Sequence, residues 1–195
     1  MTQKMKTQDY PIAKYGWLMV WAFVFCIQTV TKADELRVSS PTLHEGGLVP
    51  KEHVLNESGC GGQNISPGLQ WAGVPGATKG LGVTVFDQDA PGGRGFWHWV
   101  VFNLGPGSRE LPAGAGAASG HGLPKGSSQT RNDYGSPGYG GPCPPPGSTH
   151  RYVITVYALD VAKLASSASE APSKVVAEME RHVLAKGSMS VRYGR

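Results

Sequence analysis

His150-Arg-Tyr-Val-Ile-Thr-Val-Tyr-Ala-Leu159 is the stretch on which the fold turns. In an extended chain Tyr152, Ile154, Val156 and Ala158 fall on one face, and Val153, Thr155, Tyr157 and Leu159 on the other. This is strand periodicity. Upstream, Phe96-Trp-His-Trp-Val-Val-Phe-Asn-Leu104 is too short and too rich in aromatic and β-branched residues for a free helix. Its near-continuous hydrophobicity predicts a central strand covered on both faces. Leu81, Val83 and Val85 alternate with Gly82, Thr84 and Phe86 in a strand that runs into the turn Asp87-Gln-Asp-Ala-Pro-Gly-Gly93. Glu35–Ser39, Leu69–Trp71 and Met189–Val191 read as shorter strands. The single helical signal begins at Pro172, a residue suited to a first turn. Val175, Val176, Met179, Val183 and Leu184 follow it at helical spacing, and Gly187 supplies a stop. Met179 on that stripe reads as core filling. Gly105–Thr130 and Gly135–Gly147 read as long connections.

The first residues require separate treatment. Lys4, Lys6 and Lys14 precede an apolar run, Gly16–Cys26, which weakens towards Val30 and ends at Thr31-Lys-Ala33. A basic start, an apolar core of about 10–15 residues and a small-residue end describe a secretory signal. A retained membrane anchor needs about 20 apolar residues, more than this run supplies. Residues 1–33 are therefore expected to be a cleaved signal peptide and 34–195 one domain, in a periplasmic or secreted protein. Of the 18 Lys+Arg and 14 Asp+Glu, the leader holds four and one, leaving 14 against 13. That near-neutral balance excludes a nucleic-acid partner. Residues 34–195 keep 27 of the 28 glycines and 14 of the 15 prolines, which with so many strand signals predicts a mainly β fold. Cys60 and Cys143 remain after the leader is removed. In an oxidising compartment they are candidates for a disulfide, and the alternative is two separate buried thiols.

Three pieces place polar residues beside apolar runs: Asp87-x-Asp89-x-Pro91, Trp97-His98-Trp99 and His150-Arg151-Tyr152. Taken singly, the aspartates are turn residues, His98 a core histidine, and His150-Arg151 a solvated strand start.

Together with Asn64-x-Ser-Pro67, Leu69-x-Trp71, Val74-Pro75 and Gly138-Tyr-Gly-Gly-Pro-Cys-Pro-Pro-Pro-Gly147, they resemble the phosphatidylethanolamine-binding proteins. His182-Val-Leu-Ala185 and Tyr193-Gly-Arg195 narrow the resemblance to the bacterial Raf-kinase-inhibitor-like branch. It covers residues 34–195. The resemblance implies a β-sandwich, a large antiparallel sheet packed on a smaller one, with a helix near the C-terminus. It also implies a shallow pocket for phosphate, acetate or a phosphoethanolamine headgroup, without catalysis and without a cofactor or metal. Carried over by motif, Asp87 and His98 are its central residues and Asp89 braces the turn. His150 and Tyr152 line the wall, the Gly140–Gly141–Pro142 backbone forms the rim, and a cis bond before Pro91 is compatible with the family.

The chemistry of the residues agrees with anion binding. Imidazole N–H, a tyrosine hydroxyl and backbone N–H groups of a glycine loop are phosphate donors. Asp87 is expected either to hold His98 protonated or to accept a bond from an ammonium group. The expected ligand is thus a small anionic or zwitterionic headgroup, with a protein such as a protease or kinase as a further partner. The competing reading is a phosphoester hydrolase built on Asp87, Asp89 and His98, whose spacing lacks a characteristic metal pattern.

Overall fold

The computed structural model describes Thr2 and residues 35–195. Apart from Thr2, the leader expected at 1–33 lies outside the described residues. The strands are β1 (Arg37–Ser39), β2 (Leu69–Ala72), β3 (Gly80–Asp87), β4 (Phe96–Leu104), β5 (Glu110–Leu111), β6 (Ser128–Gln129), β7 (Thr149–Leu159) and β8 (Val183–Gly194). The helix α1 spans Pro172–Arg181. Two antiparallel sheets result, a five-stranded one ordered β6-β4-β3-β7-β8 and a three-stranded one ordered β1-β2-β5. This is the mainly β sandwich with one helix near the C-terminus that the sequence predicts.

Both faces of the large sheet are covered. One side packs Val83, Val85, Trp99, Val101, Ile154 and Val156 into the core shared with Trp71 and Leu69 of the small sheet. The other presents Val100, Phe102, Tyr157 and Leu159 to Val175, Val176 and Met179 of α1. Each fully buried side chain of this size contributes roughly 1.5–3 kcal/mol. The continuous apolar run of β4 thus follows from its place between two cores.

Three features differ from the sequence reading. The helix stops at Arg181, where the His182 N–H closes the last turn on the Met179 carbonyl. Val183 and Leu184, expected on the helical stripe, belong instead to β8, which pairs with β7 from Leu159↔Val183 onward. Gly187 is not the helix stop but lies in mid-strand, where a Cβ would overlap the Leu36 carbonyl oxygen of the crossing segment. The connection Gly105–Thr130 contains β5 and β6, each two residues long and too short for a periodic signal. Among the described residues no peptide bond is cis, Ala90–Pro91 included.

The long edge strand β8 is protected from pairing with another chain. The Glu45 carboxylate accepts the Ser190 N–H at 2.9 Å. Gly46 donates to the Ser190 carbonyl at 2.7 Å, and Val49 to that of Arg192 at 2.9 Å.

Candidate functional site

Sheet register assembles the site. Asp87, the last residue of β3, stands opposite Phe96 of β4 and Tyr152 of β7. On β4 the pairing slips: Val85 faces Trp99 and Phe86 faces Trp97, leaving His98 without a partner in a β-bulge. A bulge lets successive side chains share one face. Trp97 accordingly packs towards the helix side, while Trp99 enters the sandwich core. His98 is released towards Tyr152, ring centroids 5.2 Å apart. The result is a pocket of about 150 Å³ lined by Asp87, Ala90, Pro91, Phe96, His98, Tyr134, Cys143, Pro144, Pro145, His150 and Tyr152.

The polar atoms are wired in a definite order. Asp87 Oδ2 lies 2.7 Å from His150 Nδ1, and Asp87 Oδ1 accepts the Asp89 N–H at 2.9 Å. His98 Nδ1 is 2.6 Å from the Gly140 carbonyl oxygen. A carbonyl only accepts, so Nδ1 carries the proton. Burial pushes the His98 pKa down to about 4, against the opposing pull of the Gly140 carbonyl and Asp87. The ring is therefore neutral at pH 7, and with the proton on Nδ1 its Nε2 is an acceptor. Of the two roles expected of Asp87, holding His98 protonated is not what is found; its carboxylate is bonded to His150. The Tyr152 hydroxyl is buried and has no hydrogen-bond partner among the described residues. Burial, with the Asp87 charge, raises its pKa well above the ordinary range, so it stays a donor.

Of the residues expected at the site, Asp87, His98, His150 and Tyr152 line the pocket. Asp89 does not. Its Oδ2 accepts the Arg151 N–H at 2.8 Å and ties the turn to β7. The rim differs as well, because Cys143–Pro145 line the pocket rather than Gly140–Pro142. Nor do the two glycines offer their N–H groups to a ligand. Gly140 donates to the His98 carbonyl at 2.9 Å, and Gly141 to Asn64 Oδ1 at 2.7 Å. They are glycines because of the protein itself. A Cβ at Gly140 would strike the Tyr134 ring at 2.6 Å, and one at Gly141 would overlap the backbone of His53–Leu55. Pro142 accepts the Leu55 N–H at 3.2 Å.

Sequence reasoning missed Phe96 and Tyr134. Their rings lie 4.6 Å apart and both line the pocket. Phe96 was legible as the residue opposite Asp87 in a hairpin; Tyr134, in a loop, carried no local signal.

A Cys60–Cys143 disulfide, Cα atoms 5.8 Å apart, fastens the rim to the 55–66 segment. Arg195 adds to this hold, donating from Nε to the Pro144 carbonyl at 2.7 Å and from an Nη to that of Ser58 at 3.1 Å. Among the described residues no group of three or more His, Cys, Asp or Glu converges as metal ligands would. No described helix is long and apolar enough to cross a membrane.

The sequence profile described as phosphatidylethanolamine-binding protein matches residues 39–194. YbhB of Escherichia coli is 42% identical over 158 residues, 81% of this chain and 99% of that protein. The crystal structure of E. coli YbcL, described as a new member of the mammalian PEBP family, superposes with a TM-score of 0.81 at 38% identity, covering 83% of this chain and 99% of that one. A Mycobacterium tuberculosis protein named as lipoprotein LppC is 38% identical over 131 residues, 67% of this chain and 58% of that protein.

Proposed function

Because the chain belongs to the phosphatidylethanolamine-binding protein family, we propose that it binds, without turnover, a small acidic or zwitterionic headgroup that brings its own proton to the pocket. The observation that carries this reading is the bond from His98 Nδ1–H to the Gly140 carbonyl. It leaves Nε2 as an acceptor beside the Asp87 carboxylate, with the Tyr152 hydroxyl as a donor. With His98 Nε2 and the Asp87 carboxylate both accepting, this part of the lining does not suit a fully ionised phosphate. It suits a monoanion that retains a P–OH, or a zwitterion whose ammonium meets Asp87 or the aromatic walls.

A binding role rather than hydrolysis is supported by Asp89, whose carboxylate faces Arg151 and lies outside the pocket lining. A location in the periplasm or outside the cell is supported by the Lys-flanked leader pattern and by the similarity to a protein named as a lipoprotein. A protein partner that competes for the occupied pocket is compatible with the same site.

Titration calorimetry with phosphoethanolamine, inorganic phosphate and sulfate between pH 5.5 and 8 tests the headgroup reading. Phosphate-type ligands are expected to tighten as pH falls through their own ionisation near about pH 6. Sulfate, which has no proton to give, is expected to bind at least tenfold more weakly. Equal affinities with no pH dependence would sink the proposal.

A further inference from the structure

A second cleft of about 210 Å³ shares Tyr134 with the first pocket as a lining residue. It forms between the 55–64 segment, the 132–136 turn and residues Tyr139 and Gly140. Its polar surface comes from Asn56, Glu57, Ser58, Asn64, Asn132 and Ser136. Asn132 and Asn64 are fixed by the fold. Asn132 Nδ2 donates to the Gly138 carbonyl at 3.0 Å, and Asn64, held at a φ of 55°, accepts the Gly141 N–H. Among the described residues the side chains of Asn56, Glu57, Ser58 and Ser136 make no hydrogen bond.

This inventory differs in kind from that of the first pocket. Amides and hydroxyls each offer donors and acceptors, and they stand beside a single carboxylate and the flat ring of Tyr134. The complement of such a surface is a group that also donates and accepts at every position and has an apolar face for the ring. The volume lies below the range of about 300–1,000 Å³ of drug-sized pockets and matches a single small ring. We propose that this cleft is a second subsite that takes an uncharged polyhydroxyl group, of the size of a sugar ring. In the natural ligand that group is joined to the acid that enters the first pocket. The joining rests on the headgroup reading; the hydroxyl chemistry of the cleft does not.

The two parts are tested separately on the full chain. Calorimetry compares inorganic phosphate with glucose 6-phosphate, and amide shift mapping follows free glucose. Glucose 6-phosphate is expected to bind at least tenfold more tightly than phosphate. The triple variant Asn56→Ala/Glu57→Ala/Ser136→Ala should abolish that advantage and leave phosphate binding unchanged. Free glucose should shift the amides of residues 56–58 and 134–136. These three side chains are exposed and unbonded, so their loss is not expected to unfold the protein. Glucose shifts at the cleft in a protein that ignores phosphate would uphold the subsite and overturn the headgroup reading. Equal affinities for phosphate and glucose 6-phosphate, with no glucose shifts at the cleft, would overturn the subsite itself.

Discussion

Trp97 and Trp99 are two positions apart on one strand yet face opposite sides of the large sheet. The His98 bulge between them is the reason. In an unbroken strand the two indoles would share a face and His98 would point away from both. Instead His98 reaches the pocket at the end of β3 and the start of β7, where its ring is buried and neutral.

That burial makes stability depend on pH. The folded-state pKa of His98 is about 4, below the value of about 6.5 expected of an unfolded chain. Between these values the unfolded state binds more protons, so this contribution is complete above about pH 6.5 and lost as pH falls towards 4. The full loss is on the order of 3 kcal/mol. Urea unfolding of wild type and His98→Asn at pH 7 and pH 4.5 isolates it. The wild type should lose more stability than the variant, and parallel losses would return His98 to an ordinary exposed histidine.

The Asp87–His150 pair is buried on both sides, with side-chain exposures of 5% and 7%. Removing one partner leaves the other unmatched, so Asp87→Ala should destabilise by about 2–4 kcal/mol. A double-mutant cycle with His150→Ala should give a coupling of about 1–3 kcal/mol. A coupling near zero would mean that the bond contributes nothing to folding.

The disulfide closes a segment 83 residues long. In the chain-entropy account, its loss in Cys60→Ser/Cys143→Ser should destabilise by about 4–5 kcal/mol. Since Cys143, Pro144 and Pro145 form a pocket wall, headgroup affinity should fall as well. Denaturation and calorimetry on the same variant measure both effects. Unchanged affinity in a less stable protein would show that Arg195 and the Asn64 bond hold the rim unaided.

Gly187 offers a test of the sandwich. Because its missing Cβ admits the Leu36 carbonyl of the segment leading into β1, Gly187→Ala should cost about 1–3 kcal/mol through overpacking. Gly105→Ala meets nothing within 4 Å and serves as the control in thermal unfolding. Similar melting temperatures for the two variants would argue against that close crossing.

The sequence by itself determined the strands whose side chains follow a sustained alternation or an unbroken apolar run. β4 is found where Phe96–Leu104 predicts it, and β7 differs by one residue from His150–Leu159. Motif resemblance named Asp87, His98, His150 and Tyr152, which the fold brings to one pocket. Local pattern failed where pairing between distant segments decides. Val183 continues the helical spacing of Val175 and Met179, yet eleven consecutive β7 residues hold it and its successors as a strand. The slip of register between β3 and β4 chose which face His98 occupies. Competition for hydrogen bonds then gave the Asp87 carboxylate to His150, and the Gly140 and Gly141 N–H groups to the protein's own acceptors. Periodicity is a property of neighbouring residues and is written in the chain. Register, partner choice and burial are set only when strands some seventy residues apart meet, and they decide the protonation of the site.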